Sequence, residues 1–75
     1  MNQAREQEVI ANGVIVEALP SALFRVQIND QIVLAYLSGK MRINHIKVLP
    51  GDTVSVKMSP DGKRGIIMRR GPMRS

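Results

Sequence analysis

The residues with the clearest chemical capacity lie in one stretch, Ser38-Gly39-Lys40-Met41-Arg42-Ile43-Asn44-His45-Ile46-Lys47-Val48-Leu49-Pro50-Gly51-Asp52. Lys40, Arg42 and Lys47 fall within eight residues of one another there. Cations at that density, on a connector outside any strand, suit the binding of phosphate oxygens. Gly39 leaves room for a phosphate to approach, and the first amides of a helical turn can donate to it. The wider charge distribution points the same way. Residues 1–39 carry Arg5 and Arg25 against Glu6, Glu8, Glu17 and Asp30, a net of −2, whereas residues 40–75 carry nine Lys and Arg against Asp52 and Asp61, a net of +7. The formal +5 is therefore gathered in the second half. A protein that presents one basic face to a polyanion has this asymmetry. Arg64, Arg69 and Arg70 from that half join Lys40, Arg42, Lys47 and Gly39 as candidate RNA-binding residues, and Arg25 is added because its apolar neighbours turn it outward.

Other chemistry finds little support. The chain has no cysteine and a single histidine, His45, so thiolate and His-rich metal sites lack their ligands. His45 reads as a surface or interface residue. No Ser–His–acid arrangement, no acid pair placed in one cleft and no phosphate-cradling glycine loop is evident. The expectation is a binding protein and not an enzyme, with no cofactor and no metal.

The elements that position the cations follow from periodicity. Residues 8–19 read as a long first strand with Gly13 near its middle, where a bulge or bend is expected. Pro20 ends it. Residues 22–29 alternate, with Phe24, Val26 and Ile28 on one side and Arg25 and Gln27 on the other. Asn29-Asp30 is a tight-turn signal. The return strand, residues 31–37, is apolar on both faces, so it must be covered twice or meet a partner. Ser38 suits a helix N-cap, and residues 39–46 have the length of about two turns, with Met41 and Ile46 turned inward. Pro50-Gly51 marks a turn. Residues 53–58 alternate again, placing Val54, Val56 and Met58 inside. A loop at 59–63 leads to a last strand, residues 65–69, and residues 71–75 read as a basic tail. Phe24 and Tyr36 are the only Phe, Trp or Tyr residues; Phe24 is expected in the core, and Tyr36 either in the core, which is the favoured reading, or on the surface as a stacking platform.

Three strands, a short helix and two strands make an all-β chain. Its expected fold is a five-stranded Greek-key barrel of the OB type, with a helix between strands 3 and 4; an SH3-like barrel is the alternative. Seventy-five residues allow one domain, with residues 1–7 and 71–75 as flexible termini. No apolar run approaches the roughly 18–20 residues of a membrane span, so the chain reads as a soluble, intracellular monomer.

The motifs then become specific. Leu19-Pro20 with Leu23-Phe24-Arg25-Val26, Ser38-Gly39-Lys40-Met41-Arg42, Asn44, Ile46, Leu49, Gly51-Asp52, Val54, Val56 and Ser59-Pro60 resemble bacterial-type translation initiation factor one, in order, over roughly residues 8–70. The resemblance implies an S1-like OB-fold protein that binds small-ribosomal-subunit rRNA at the decoding (aminoacyl-tRNA) site. There it would block tRNA and support the other initiation factors. It also implies that Lys40 and Arg42 form the basic pair of the connector, that Lys47 and Arg69 match further basic positions, that Arg64 lies near another in the final hairpin, and that Arg25 matches the arginine of the second strand. The implied location is the cytoplasm, or a plastid stroma. Two other readings remain. A single-strand RNA binder of cold-shock design should show a Lys-Gly-Phe-Gly-Phe pattern, which is absent. A protein-interaction barrel would use its charge only for solubility.

Overall fold

The computed structural model describes residues 9–71. Five strands and one helix follow one another as β1 (Val9–Leu19), β2 (Leu23–Ile28), β3 (Gln31–Leu37), α1 (Gly39–Ile43), β4 (Thr53–Met58) and β5 (Arg64–Arg70). The strands close a barrel in the order β1-β2-β3-β5-β4, with β4 returning to β1. All pairs are antiparallel except β3 with β5, which run parallel. This is the expected OB-type arrangement, with the helix in the crossover that the parallel pair requires. The expectations for residues 1–8 and 72–75 lie outside the described residues.

β1 serves two neighbours. Val9 to Val14 pair with β4, and Val14 to Leu19 pair with β2. Gly13 sits just before the changeover. A Cβ there would lie 2.6 Å from Val26 Cγ1, 2.7 Å from Ile28 Cγ1 and 2.8 Å from the Gln27 carbonyl. The glycine is therefore required by close approach. The bulge expected at Gly13 appears later, where the β1–β2 register slips between Ile15 and Glu17.

Alternation fills the interior. Ile15, Phe24, Val26, Ile28, Val33, Ala35, Val54, Val56 and Ile67 form the core, and Met41 and Val48 join it from the crossover. Each large aliphatic side chain buried this way contributes about 1.5–3 kcal/mol. Met58, expected inside, packs at the edge of this cluster. β3 shows its second apolar face to solvent: Ile32, Leu34 and Tyr36 are exposed while Val33 and Ala35 are buried. Tyr36 is thus not a core residue. Strand alternation turns it outward opposite Ala35, and nothing among the described residues covers that face.

The helix is shorter than its expected extent, ending at Ile43 and not at Ile46. Its C-terminus explains this. His45 adopts a left-handed φ of 54°, its N–H donates to the Arg42 carbonyl, and the Ile46 N–H donates to the Met41 carbonyl. That pair of bonds is a Schellman closure. It satisfies the last carbonyls and redirects the chain, leaving Ile46 partly exposed and not inward. At the other end Ser38 caps as expected, its hydroxyl accepting from the Met41 N–H at 3.2 Å.

Two substitutions check these constraints. Gly13→Ala should destabilise the barrel by about 1–3 kcal/mol through overpacking, read as a lower urea midpoint at unchanged m-value; an unmoved midpoint contradicts the close approach. A left-handed conformation costs a non-glycine residue about 1–2 kcal/mol, and glycine loses about 0.5–1 kcal/mol more on being ordered. His45→Gly should therefore raise the melting temperature by a few degrees. A fall would mean that the imidazole makes a stabilising contact.

Candidate nucleic-acid interface

α1 places Lys40 and Arg42 on either side of buried Met41, because successive helical residues are about 100° apart. Lys40 turns towards the end of β5. There the β4–β5 ladder slips: Val56 faces Ile67 and Ser55 faces Arg69, so Met68 is an extra residue without a partner. Strict alternation would carry Arg69 inward after Gly65 and Ile67, both of which are buried. The slip releases it, and Arg69 and Arg70 are both exposed.

The result is a cavity of about 520 Å³ bordered by Lys40, Arg69 and Arg70, with Met41, Asn44, Ile46 and Met68 completing it. Three cations thus surround an apolar floor. The connector is held in place around them. Arg70 Nη1 donates to the Lys47 carbonyl at 3.1 Å, so Arg70 ties β5 to the connector that carries Lys47. Beyond it, the Leu49 N–H donates to Asp52 Oδ2 at 2.8 Å. The Gly51 N–H donates to the Ile15 carbonyl and the Ile15 N–H to that of Asp52, which fastens the Pro50-Gly51 turn onto β1. β5 is secured at its far end as well. Ser55, fully buried, donates its hydroxyl to the Gly71 carbonyl at 2.8 Å, and the Gly71 N–H donates to the Thr53 carbonyl at 2.7 Å. Gly71 is therefore part of the barrel and not the start of a tail.

The other candidate residues are distributed differently. Arg42 is exposed on α1 but does not border the cavity. Gly39 is exposed, and a Cβ there would meet nothing within 4 Å, so close approach by a ligand is unobstructed. The helix amides offer less than expected, since the Met41 N–H is taken by Ser38 Oγ and the Arg42 N–H by the Ser38 carbonyl. Arg25 forms a 2.8 Å ion pair with Glu17 directly across the β1–β2 ladder. Exposed pairs of this kind contribute about 0–1 kcal/mol; here the pair removes Arg25's unopposed charge. Arg64 opens β5, six residues from Arg70, or about 20 Å at roughly 3.3 Å per residue. It belongs to another part of the surface. Sequence reasoning missed Met68 and the buried Ser55, because neither the ladder slip nor the Gly71 return has a local signature.

The chain matches the family model described as Translation initiation factor 1A / IF-1 over residues 1–72. The chain belongs to that family. It is accordingly a translation initiation factor, and an initiation factor works with the ribosome. Its fold agrees: the solution structure of translation initiation factor IF-1 from the Wolbachia endosymbiont strain TRS of Brugia malayi is 33% identical, with a TM-score of 0.72 over 91% of this chain and 83% of that one. YjeQ from Thermotoga maritima is 22% identical, with a TM-score of 0.69 over 88% of this chain and 24% of that one, and shares the fold. Among the described residues no helix is long and apolar enough to cross a membrane. No group of three or more His, Cys, Asp or Glu among them could hold a metal ion.

One carboxylate of the factor is tuned by its surroundings. Asp61, in the β4–β5 loop, accepts from the Ser59 hydroxyl and the Lys63 N–H, and these bonds hold its carboxyl below the ordinary value of 3.8. A depressed folded pKa contributes stability that is present above the unfolded value and lost as pH falls through the folded one. NMR titration of the Asp61 side chain should give a midpoint below 3.8, with the loop loosening only at more acidic pH. A midpoint at or above that value contradicts the hydrogen-bonded loop.

Proposed function

We propose that this initiation factor docks on the rRNA of the small ribosomal subunit at the decoding (aminoacyl-tRNA) site, keeps tRNA out while bound, and supports the other initiation factors there. It acts by occupancy and not by catalysis, as a monomeric S1-like unit of the cytoplasm or a plastid stroma. Family membership supports the ribosomal setting. The observation that carries the site is the convergence of Lys40, Arg69 and Arg70 on one cavity.

Three cations from two elements, braced by the Arg70 bond to the connector, match the spaced phosphates of a folded RNA groove better than a flexible strand. The low aromatic content, one Tyr and one Phe, agrees with recognition by charge and shape, as expected for preassembled RNA. Arg42 and Lys47 lie outside the cavity lining and add long-range attraction.

Chemical footprinting of small-subunit RNA should show protection confined to the decoding region. Replacing Lys40 and Arg69 together by Ala should weaken subunit binding by about 3 kcal/mol, taking about 1.5 kcal/mol per charge-assisted contact. The slope of log K against log salt should become shallower by about 1.4–1.8, with the melting temperature little changed. Protection elsewhere, or unaltered binding by the double variant, refutes the assignment.

A further inference from the structure

Met68 is the extra residue of the β4–β5 slip, with no partner across that ladder. It is 41% exposed, whereas Met41 is 2% exposed within the core and Met58 packs at the core's edge. Its thioether is thus the most accessible among the described methionines. Met68 also borders the cavity that Lys40, Arg69 and Arg70 share. Asn44 is the one uncharged polar side chain of that lining, and no acid belongs to it. Arg70 is tied to the Lys47 carbonyl. The side chains of Lys40 and Arg69 make no hydrogen bond or ion pair with other described residues, so their donors are open to a ligand.

We infer that Met68 is a reversible oxidation site that switches this cavity, and with it the ribosomal docking proposed above, on which the inference rests. The oxidant is of the peroxide class. The thioether sulfur attacks one peroxide oxygen with its lone pair, an S–O bond forms as the O–O bond breaks, and the departing hydroxide takes the proton of the transferred oxygen and leaves as water. Sulfur is oxidised to the sulfoxide, and the peroxide is reduced. Methionine sulfoxide reductases reverse the change. A thioether is a weak acceptor, so reduced Met68 adds apolar floor and leaves the cations free. The sulfoxide is polar, and its oxygen accepts hydrogen bonds. Set in one lining with Lys40 and Arg69, that oxygen takes donors a phosphate would otherwise use. Exposure matters twice here. Peroxide can reach the sulfur, and the polar product stays in contact with water, so the barrel remains folded.

Hydrogen peroxide treatment followed by tryptic mass mapping checks the site. Cleavage after Arg64 and Arg69 isolates Met68 on residues 65–69, and this fragment should gain one oxygen before those carrying Met41 or Met58. Oxidised protein should bind small subunits about tenfold more weakly, the loss of one charge-assisted contact. Affinity should return after treatment with both reductases, at unchanged melting temperature. Met68→Leu keeps every other methionine, and peroxide should not alter whatever affinity that variant has. Tripolyphosphate, followed at the Arg69 and Arg70 side-chain Nε–H signals by NMR, probes the cavity without the ribosome and should also bind the oxidised protein more weakly. Reduced protein that fails to dock refutes the docking alone, and the tripolyphosphate measurement still decides the oxidation site. Faster oxidation at Met41 or Met58, undiminished tripolyphosphate binding, undiminished binding to subunits that the reduced protein does bind, or an equal loss in Met68→Leu each overturns it.

Discussion

Closure of the sheet rests on how tightly β1 approaches β2 at Gly13. The strand must leave β4 and join β2 within a residue of that point, and at that bend the facing strand leaves no space for even a methyl group. A backbone oxygen forms part of the obstruction, so rearranged side chains alone cannot relieve it. Every other element inherits its position from this contact. β2 carries β3, β3 carries α1 and β5, and β5 carries the arginines. A small barrel has little apolar surface to hold it together, so a clash at this contact weighs heavily on its stability.

Positive charge reaches one place through two departures from regular structure. The slip at Met68 lets adjacent arginines emerge together from a strand that would otherwise separate them onto opposite faces. The left-handed His45 stops the helix after five residues and returns the chain across the barrel end, where Arg70 meets the Lys47 carbonyl. Regular secondary structure would have scattered the same residues. The charges themselves cost little here, since all remain in contact with water and none needs a buried partner.

Much of this was legible in the residues. Alternation in 22–29 and 53–58, the Asn29-Asp30 and Pro50-Gly51 turns and the Ser38 cap all appear as read, because each depends on near neighbours. What was not legible depends on distant ones. Tyr36 looks like a core residue in an apolar strand, and only the closed topology shows that its side of β3 is left uncovered. The β1–β2 turn passes through Ser21 and Ala22 at φ of 66° and 59°, residue types that do not favour left-handed backbone and are held there by the flanking ladder. The chain clusters its basic residues in sequence, yet Arg64 and Arg70 share a strand and still part company in space, while Lys40 and Arg69 meet across nearly thirty positions. Charge composition located the half of the chain that carries the basic residues; the ladder slip decided which of them come together.

The parallel pairing of Leu34–Leu37 with Arg64–Ile67 has a kinetic consequence. Joining segments thirty residues apart must be achieved before either gains from the contact, and such loop-closing steps are slow relative to local hairpins. The β1–β2–β3 meander emerges from synthesis first, with the outer edge of β3 unpaired until β5 follows. An open edge of Val, Ala and Leu is a template for pairing between chains. The exit of the arginine-rich β5 therefore closes the barrel and covers that edge, so the native state cannot assemble until β5 has emerged.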